Sequence, residues 1–144
     1  MIRERLALMA AALWWGSLTA VGAWVVPLLF VHLPTPAMAG QTAARLFTAQ
    51  AWAALGCGLL LMMLLRPRDA DRIAPAVQRS LAWVAAGMLL ALLLEFVVAP
   101  RIVAREDLRL WHSLGSALFA LQWVCAGVVL WRQGASRLSP VDPS

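Results

Sequence analysis

Charged positions divide this chain into four long apolar runs, at residues 6–31, 46–65, 81–100 and 110–131. Together these carry one acid, Glu95, one histidine, His112, and no arginine. About 20 apolar residues in a helix, at a rise of about 1.5 Å each, cross the roughly 30 Å hydrocarbon core of a bilayer. Each run is long enough to span. The first is longer than needed, about 39 Å as a helix, so tilt or a bend near Pro27 is expected. The pattern predicts an all-α fold, an integral membrane four-helix bundle forming a single domain over 1–144, with a flexible polar tail at 132–144.

The connections fit this division. The first, 32–44, carries the breaker Pro34-Thr35-Pro36. The second, 66–79, is the most charged, and the third covers 101–109. Ala37-Met38-Ala39-Gly40 imitates a signal-peptidase site. The preceding run is far longer than the 7–15 apolar residues of a signal peptide and contains Trp14, Trp15 and Trp24, so it is read as a retained span.

Composition agrees. The 144 residues are 62% hydrophobic and 13% charged, outside the range of soluble domains. The net charge of +5 raises the question of nucleic acid. That reading is excluded, because the arginines sit in short strips between apolar runs instead of on one folded face. There are twelve arginines and no lysine, which points to GC-rich bacterial coding. Four spans put both termini on one side, with Arg3, Arg5, Arg66, Arg68, Arg72, Arg79, Arg132 and Arg137; Arg45, Arg101, Arg105 and Arg109 lie on the other. The positive-inside bias therefore predicts a bacterial inner (plasma) membrane protein with both termini cytoplasmic.

Within the spans, Trp83, Trp111 and Trp131 fall at interfacial depth, whereas Trp14, Trp15 and Trp123 fall deeper and are expected to pack between helices or line a cavity. Gly16, Ala20 and Ala23 recur at three- and four-residue spacing and form a narrow helix-packing face. Cys57 and Cys125 have no paired spacing and read as small buried hydrophobes. The scattered methionines form no copper ladder.

The candidate chemistry lies in the outer half. Glu95, six residues before Arg101, and His112, three after Arg109, share one layer by depth. Arg45, Gln50, Ser113, Ser116 and Arg101 fall on the same side, and His112 and Ser116 share a helical face. An ionisable group in lipid faces the bundle interior and pairs, or lines a wet cavity. Two readings remain open: a pocket in which Glu95 and His112 hold a cation, a metal or a polar head group or relay a proton, and a ligand-free network clamping the helix ends. No GxSxG or HExxH signature supports catalysis, no cofactor is expected, and the metal question stays open.

Leu33-Pro34, Ala39-Gly40, Ala44-Arg45-Leu46-Phe47, Gln50, Ala99-Pro100-Arg101 and Trp111-His112-Ser113, in this order, resemble the transmembrane protein 205-like family, whose bacterial branch is a domain of unknown function. The resemblance spans Leu13 to Trp131. It implies a four-helix membrane protein. Eukaryotic members linked with tolerance of platinum compounds imply transport or trafficking, and Pro100, Arg101 and His112 match the family pattern most directly. The expected function is a small transporter or a metal or toxicant-tolerance factor. The alternative is a structural or assembly factor that docks to another membrane protein or to itself. The lipid bilayer is the partner in either case.

Overall fold

The computed structural model describes residues 2–66 and 74–135, and all secondary structure among them is helical. Four helices, α1 (Ile2–His32), α2 (Pro36–Leu65), α3 (Pro75–Val103) and α4 (Leu108–Ala135), are each long and apolar enough to cross a membrane. The chain is an all-α four-helix membrane bundle. Most of the expected tail, residues 136–144, lies outside the described residues; its first four, 132–135, continue α4.

The helices outrun the apolar runs, because caps end a helix and loss of hydrophobicity does not. The connection expected at 32–44 shrinks to 33–35. Pro36 sits in the first turn of α2, where its missing N–H costs nothing, and Thr35 is the N-cap, its Oγ1 accepting from the Met38 N–H at 3.2 Å. At the 104–107 connection, the N–H groups of Arg105 and Glu106 donate back to Ile102 and Arg101 (both 3.1 Å), closing α3 with a Schellman turn. Asp107 then caps α4 by accepting from the Leu110 N–H at 3.3 Å. The left-handed position of the turn is held by Arg105 (φ 58°). A side chain there costs about 1–2 kcal/mol, so Arg105→Gly should raise stability by about 1 kcal/mol in detergent melts.

Two helices contain a wide π-type turn: Ala20–Val25 in α1 and Leu94–Val98 in α3. There the N–H of Val26 reaches Val21 and that of Ala99 reaches Leu94, five residues back. Each turn ends just before a proline, Pro27 or Pro100, whose ring clashes with the preceding turn and has no N–H to give. Where tilt or a bend is expected near Pro27, the helix carries a π turn, and a second π turn precedes Pro100.

The bundle runs up and down, with α1 against α2, α2 against α3, α3 against α4 and α4 against α1. Ala7, Ala10, Ala11, Trp14 and Leu18 form the buried stripe of α1; Ala54, Cys57 and Leu61 from α2, Val84 and Ala91 from α3, and Ala126 and Val129 from α4 complete the core. Lipid is as apolar as leucine, so close contact holds such helices together more than water exclusion does. The Trp14 ring lies where a side chain at Gly87 would be, Met88 does the same at Gly58, and Trp15 at Gly127. The stripe expected to pack, Gly16, Ala20 and Ala23, lies elsewhere: a Cβ on Gly16 meets nothing within 4 Å, Ala20 is half-buried and Ala23 exposed. Periodicity marks a small-residue face without saying which way it turns.

Arginines tie the end of the bundle that carries Ile2 and Ala135, here the proximal end. Arg3 donates to the carbonyls of Met63 (2.9 Å) and Arg66 (2.6 Å), which the C-terminus of α2 leaves unpaired. Arg132 donates to Ser80 Oγ (2.9 Å) and the Ala76 carbonyl (2.8 Å).

Candidate functional site

Glu95 lies on the π turn of α3, half-buried, and its Oε1 accepts a hydrogen bond from Thr48 Oγ1 of α2 at 3.0 Å. A wide turn pushes its side chains out of the regular helical stripe, which is how an acid in an apolar span comes to face the neighbouring helix. Thr48 was not among the expected partners. The signal for it was weak: a lone hydroxyl two residues before Gln50, in a helix whose facing edge is unknown from sequence.

The structure does not bring Glu95, Arg45 and His112 together. Arg45 is exposed, one turn closer to the distal end of the bundle than Thr48. His112, Ser113 and Ser116 are all exposed on α4, because Trp111 and Gly115 take the more buried face of that turn; Gly115 sits opposite Val98. Ser113 Oγ donates to the Arg109 carbonyl at 2.8 Å within its own helix. Arg101 turns away from Glu95: it donates to the Val97 carbonyl (3.0 Å), pairs with Glu106 at 3.8 Å and stacks over Trp111 at 4.5 Å. It anchors the distal connection.

Other polar groups meet deeper in the bundle. Gln50, 6% exposed, donates to Ser17 Oγ at 3.0 Å, and Ser17 in turn donates to the Trp14 carbonyl at 2.9 Å. Trp123 Nε1 donates to Thr19 Oγ1 at 2.8 Å, with the Trp15 ring tilted against it at 5.4 Å. Gln122, 2% exposed, and Trp14, fully buried, each hold an N–H with no partner among the described residues. Ser17, Thr19 and Gln122 also escaped the sequence reading, because a single hydroxyl or amide barely disturbs an apolar run.

Above Glu95 the bundle divides. Val26–His32 packs on α2, Ala99–Val103 packs on α4, and neither makes a substantial contact with the opposite pair. An edge-to-face contact between Phe47 of α2 and Phe119 of α4, centroids 5.4 Å apart, bridges the pairs beside Thr48. The arrangement is a carboxylate bonded to a hydroxyl just below the level where the two helix pairs part, with Phe47 the residue before that hydroxyl. Among the described residues no three His, Cys, Asp or Glu side chains gather as a metal site would need. A separate cavity of about 390 Å³ at the proximal end is lined by Arg3, Glu4, Leu65, Arg66 and Val77, far from Glu95.

Residues 9–110 match the family described as Domain of unknown function (DUF4149). The chain belongs to this family. The match takes in all of α2 and α3 and most of α1, and hence both members of the Thr48–Glu95 pair. No curated protein and no solved structure matches the chain. Membership of the DUF4149 family therefore brings no activity with it, and function has to be argued from the side chains. The finer likeness to transmembrane protein 205 relatives is not carried by these findings.

Proposed function

We propose that this multi-pass membrane protein is a small transporter or toxicant-tolerance factor that takes a lipophilic organic cation at Glu95. The observation that carries the reading is the Thr48–Glu95 hydrogen bond, within the spans and just below the level where the helix pairs part. An acid within a span is costly, and such groups mark substrate or ion pathways. One carboxylate, bonded to the residue that follows Phe47 in a helix where Phe47 meets Phe119, offers charge and nearby π faces to a large, weakly hydrated cation. It offers too few ligands for a transition metal. The eukaryotic relatives' link with platinum compounds, through the transmembrane protein 205-like resemblance, agrees with a transport role but assigns no metal ligands here. The arginine distribution supports a bacterial inner membrane with cytoplasmic termini, which puts the distal end of the bundle on the periplasmic side. Catalysis forms no part of the reading.

Tetraphenylphosphonium is a suitable probe, because it is a large, weakly hydrated cation whose binding can be followed directly by equilibrium dialysis. Glu95→Gln should weaken its binding to the purified protein at least tenfold while the melting temperature stays within a few degrees. Thr48→Ala, which removes only the orienting hydroxyl, should weaken it less. Equal binding by Glu95→Gln and the unsubstituted protein would remove this site from consideration.

The open face at Gly16 and Ala23 supports a second reading, docking to another membrane protein or a second copy. In that case Gly16→Leu disperses a complex that Glu95→Gln leaves intact.

A further inference from the structure

The two halves of the bundle repeat one another. Leu46-Phe47-x-x-Gln50-x-x-x-Ala54 on α2 recurs on α4 as Leu118-Phe119-x-x-Gln122-x-x-x-Ala126, each residue 72 positions on. On α1 and α3 the repeat lies at 73 positions, as with Pro27 and Pro100. The one-residue change falls between each proline and the start of the next helix.

Burial follows the same spacing at most core positions, although buried Ala10 and Cys125 answer to exposed Trp83 and Ala53. Ala7, Ala11, Trp14 and Leu18 are buried on α1, and so are their counterparts Ser80, Val84, Gly87 and Ala91 on α3. Gln50, Ala54 and Cys57 on α2 correspond to Gln122, Ala126 and Val129 on α4, again all buried. The π turns of α1 and α3 correspond too. Two contacts then reveal an axis. The Trp14 ring rests on Gly87, and Phe47 meets Phe119 edge to face. Each is a residue touching its own counterpart, which a twofold arrangement allows only beside the axis.

The repeat breaks at informative places. The counterpart of Glu95 is Gly22, whose missing side chain leaves room for the Phe119 ring, so the candidate acid is an addition to a frame that both halves share. The counterpart of Ser17, which accepts from Gln50, is Leu90. Gln122 therefore keeps its depth and burial while the hydroxyl it would bond is absent, and its Nε2 is left without a partner.

We propose that the bundle is a twofold repeat of one helical hairpin, 2–66 and 74–135, and that a buried water bonds Gln122 Nε2 in place of the hydroxyl that Ser17 supplies in the first hairpin. Buried amide groups are almost always bonded to protein or to ordered water. Membrane proteins built from parallel repeats about an axis along the membrane normal place polar sites near the midplane between the repeats, the position of Gln50 and Gln122 here. The proposal does not depend on the cation reading, since Glu95 takes no part in it.

The test uses the full chain in nanodiscs, with ¹⁵N-labelled glutamine side chains. Magnetisation transfer from water should reach the Gln122 amide in the unsubstituted protein and vanish in Leu90→Ser. Ser17→Ala should create the same transfer at Gln50. In melts, Leu90→Ser should lie about 2–4 °C above Leu90→Ala, because only serine gives Gln122 an acceptor. No transfer to Gln122 in the unsubstituted protein overturns the hydration. Leu90→Ser melting at or below Leu90→Ala overturns the equivalence of the two hairpins.

Discussion

Gly87→Leu is expected to yield almost no folded bundle. Even the first atom of the new side chain would lie 2.6 and 2.7 Å from two carbons of the Trp14 ring and 3.3 Å from Cys125 Cβ. Trp14 is fully buried, with no solvent-facing side to swing out to, so α3 is expected to move outward and loosen its contact with α4. Overpacking of this kind costs about 1–3 kcal/mol when side chains can rotate away, and the lower part of that range is closed here. Size-exclusion chromatography and tryptophan circular dichroism should show aggregated or expanded protein. Gly16→Leu is the control, since open space surrounds that glycine and the isolated chain should melt unchanged. Normal folding of Gly87→Leu would mean that Trp14 does not lie on Gly87.

Trp14→Ala should be the most destabilising truncation in the chain, at about 3–5 kcal/mol, the range for a fully buried aromatic. The loss comes from dispersion contacts, because no water waits to be released when a ring leaves a span surrounded by lipid. Reversible unfolding in mixed detergent would measure it. The two substitutions share one volume, so they should not add: Trp14→Ala combined with Gly87→Leu should be more stable than the sum of the separate losses predicts. Strict additivity would separate the two residues in space.

The bundle was readable because lipid imposes one rule throughout its thickness: every backbone N–H and C=O must be bonded within the segment, which for a run of about 20 apolar residues means a helix. The same rule made Pro27 legible as an irregularity. The site was only half readable. Glu95 stands out in an apolar run, and the structure places it half-buried on the π turn of α3. Its partner was not legible. Arg45 and His112 share its depth but face away, while Thr48, with an unremarkable side chain, faces it at 3.0 Å.

Depth is a count along one helix, and this chain specifies it directly through charges, tryptophans and prolines. Facing is a relation between helices. It depends on how far each π turn rotates the helix beyond it and on which glycine admits which ring. The sequence by itself therefore determined four spans, their alternating direction and the one acid within them. Only the tertiary structure decided that Glu95 bonds Thr48, that Gly87 and not Gly16 admits a neighbour, and that Gln122 lacks the hydroxyl Gln50 has. In a span where almost every side chain is apolar, the pattern of polarity is too sparse to orient a helix, and packing orients it instead.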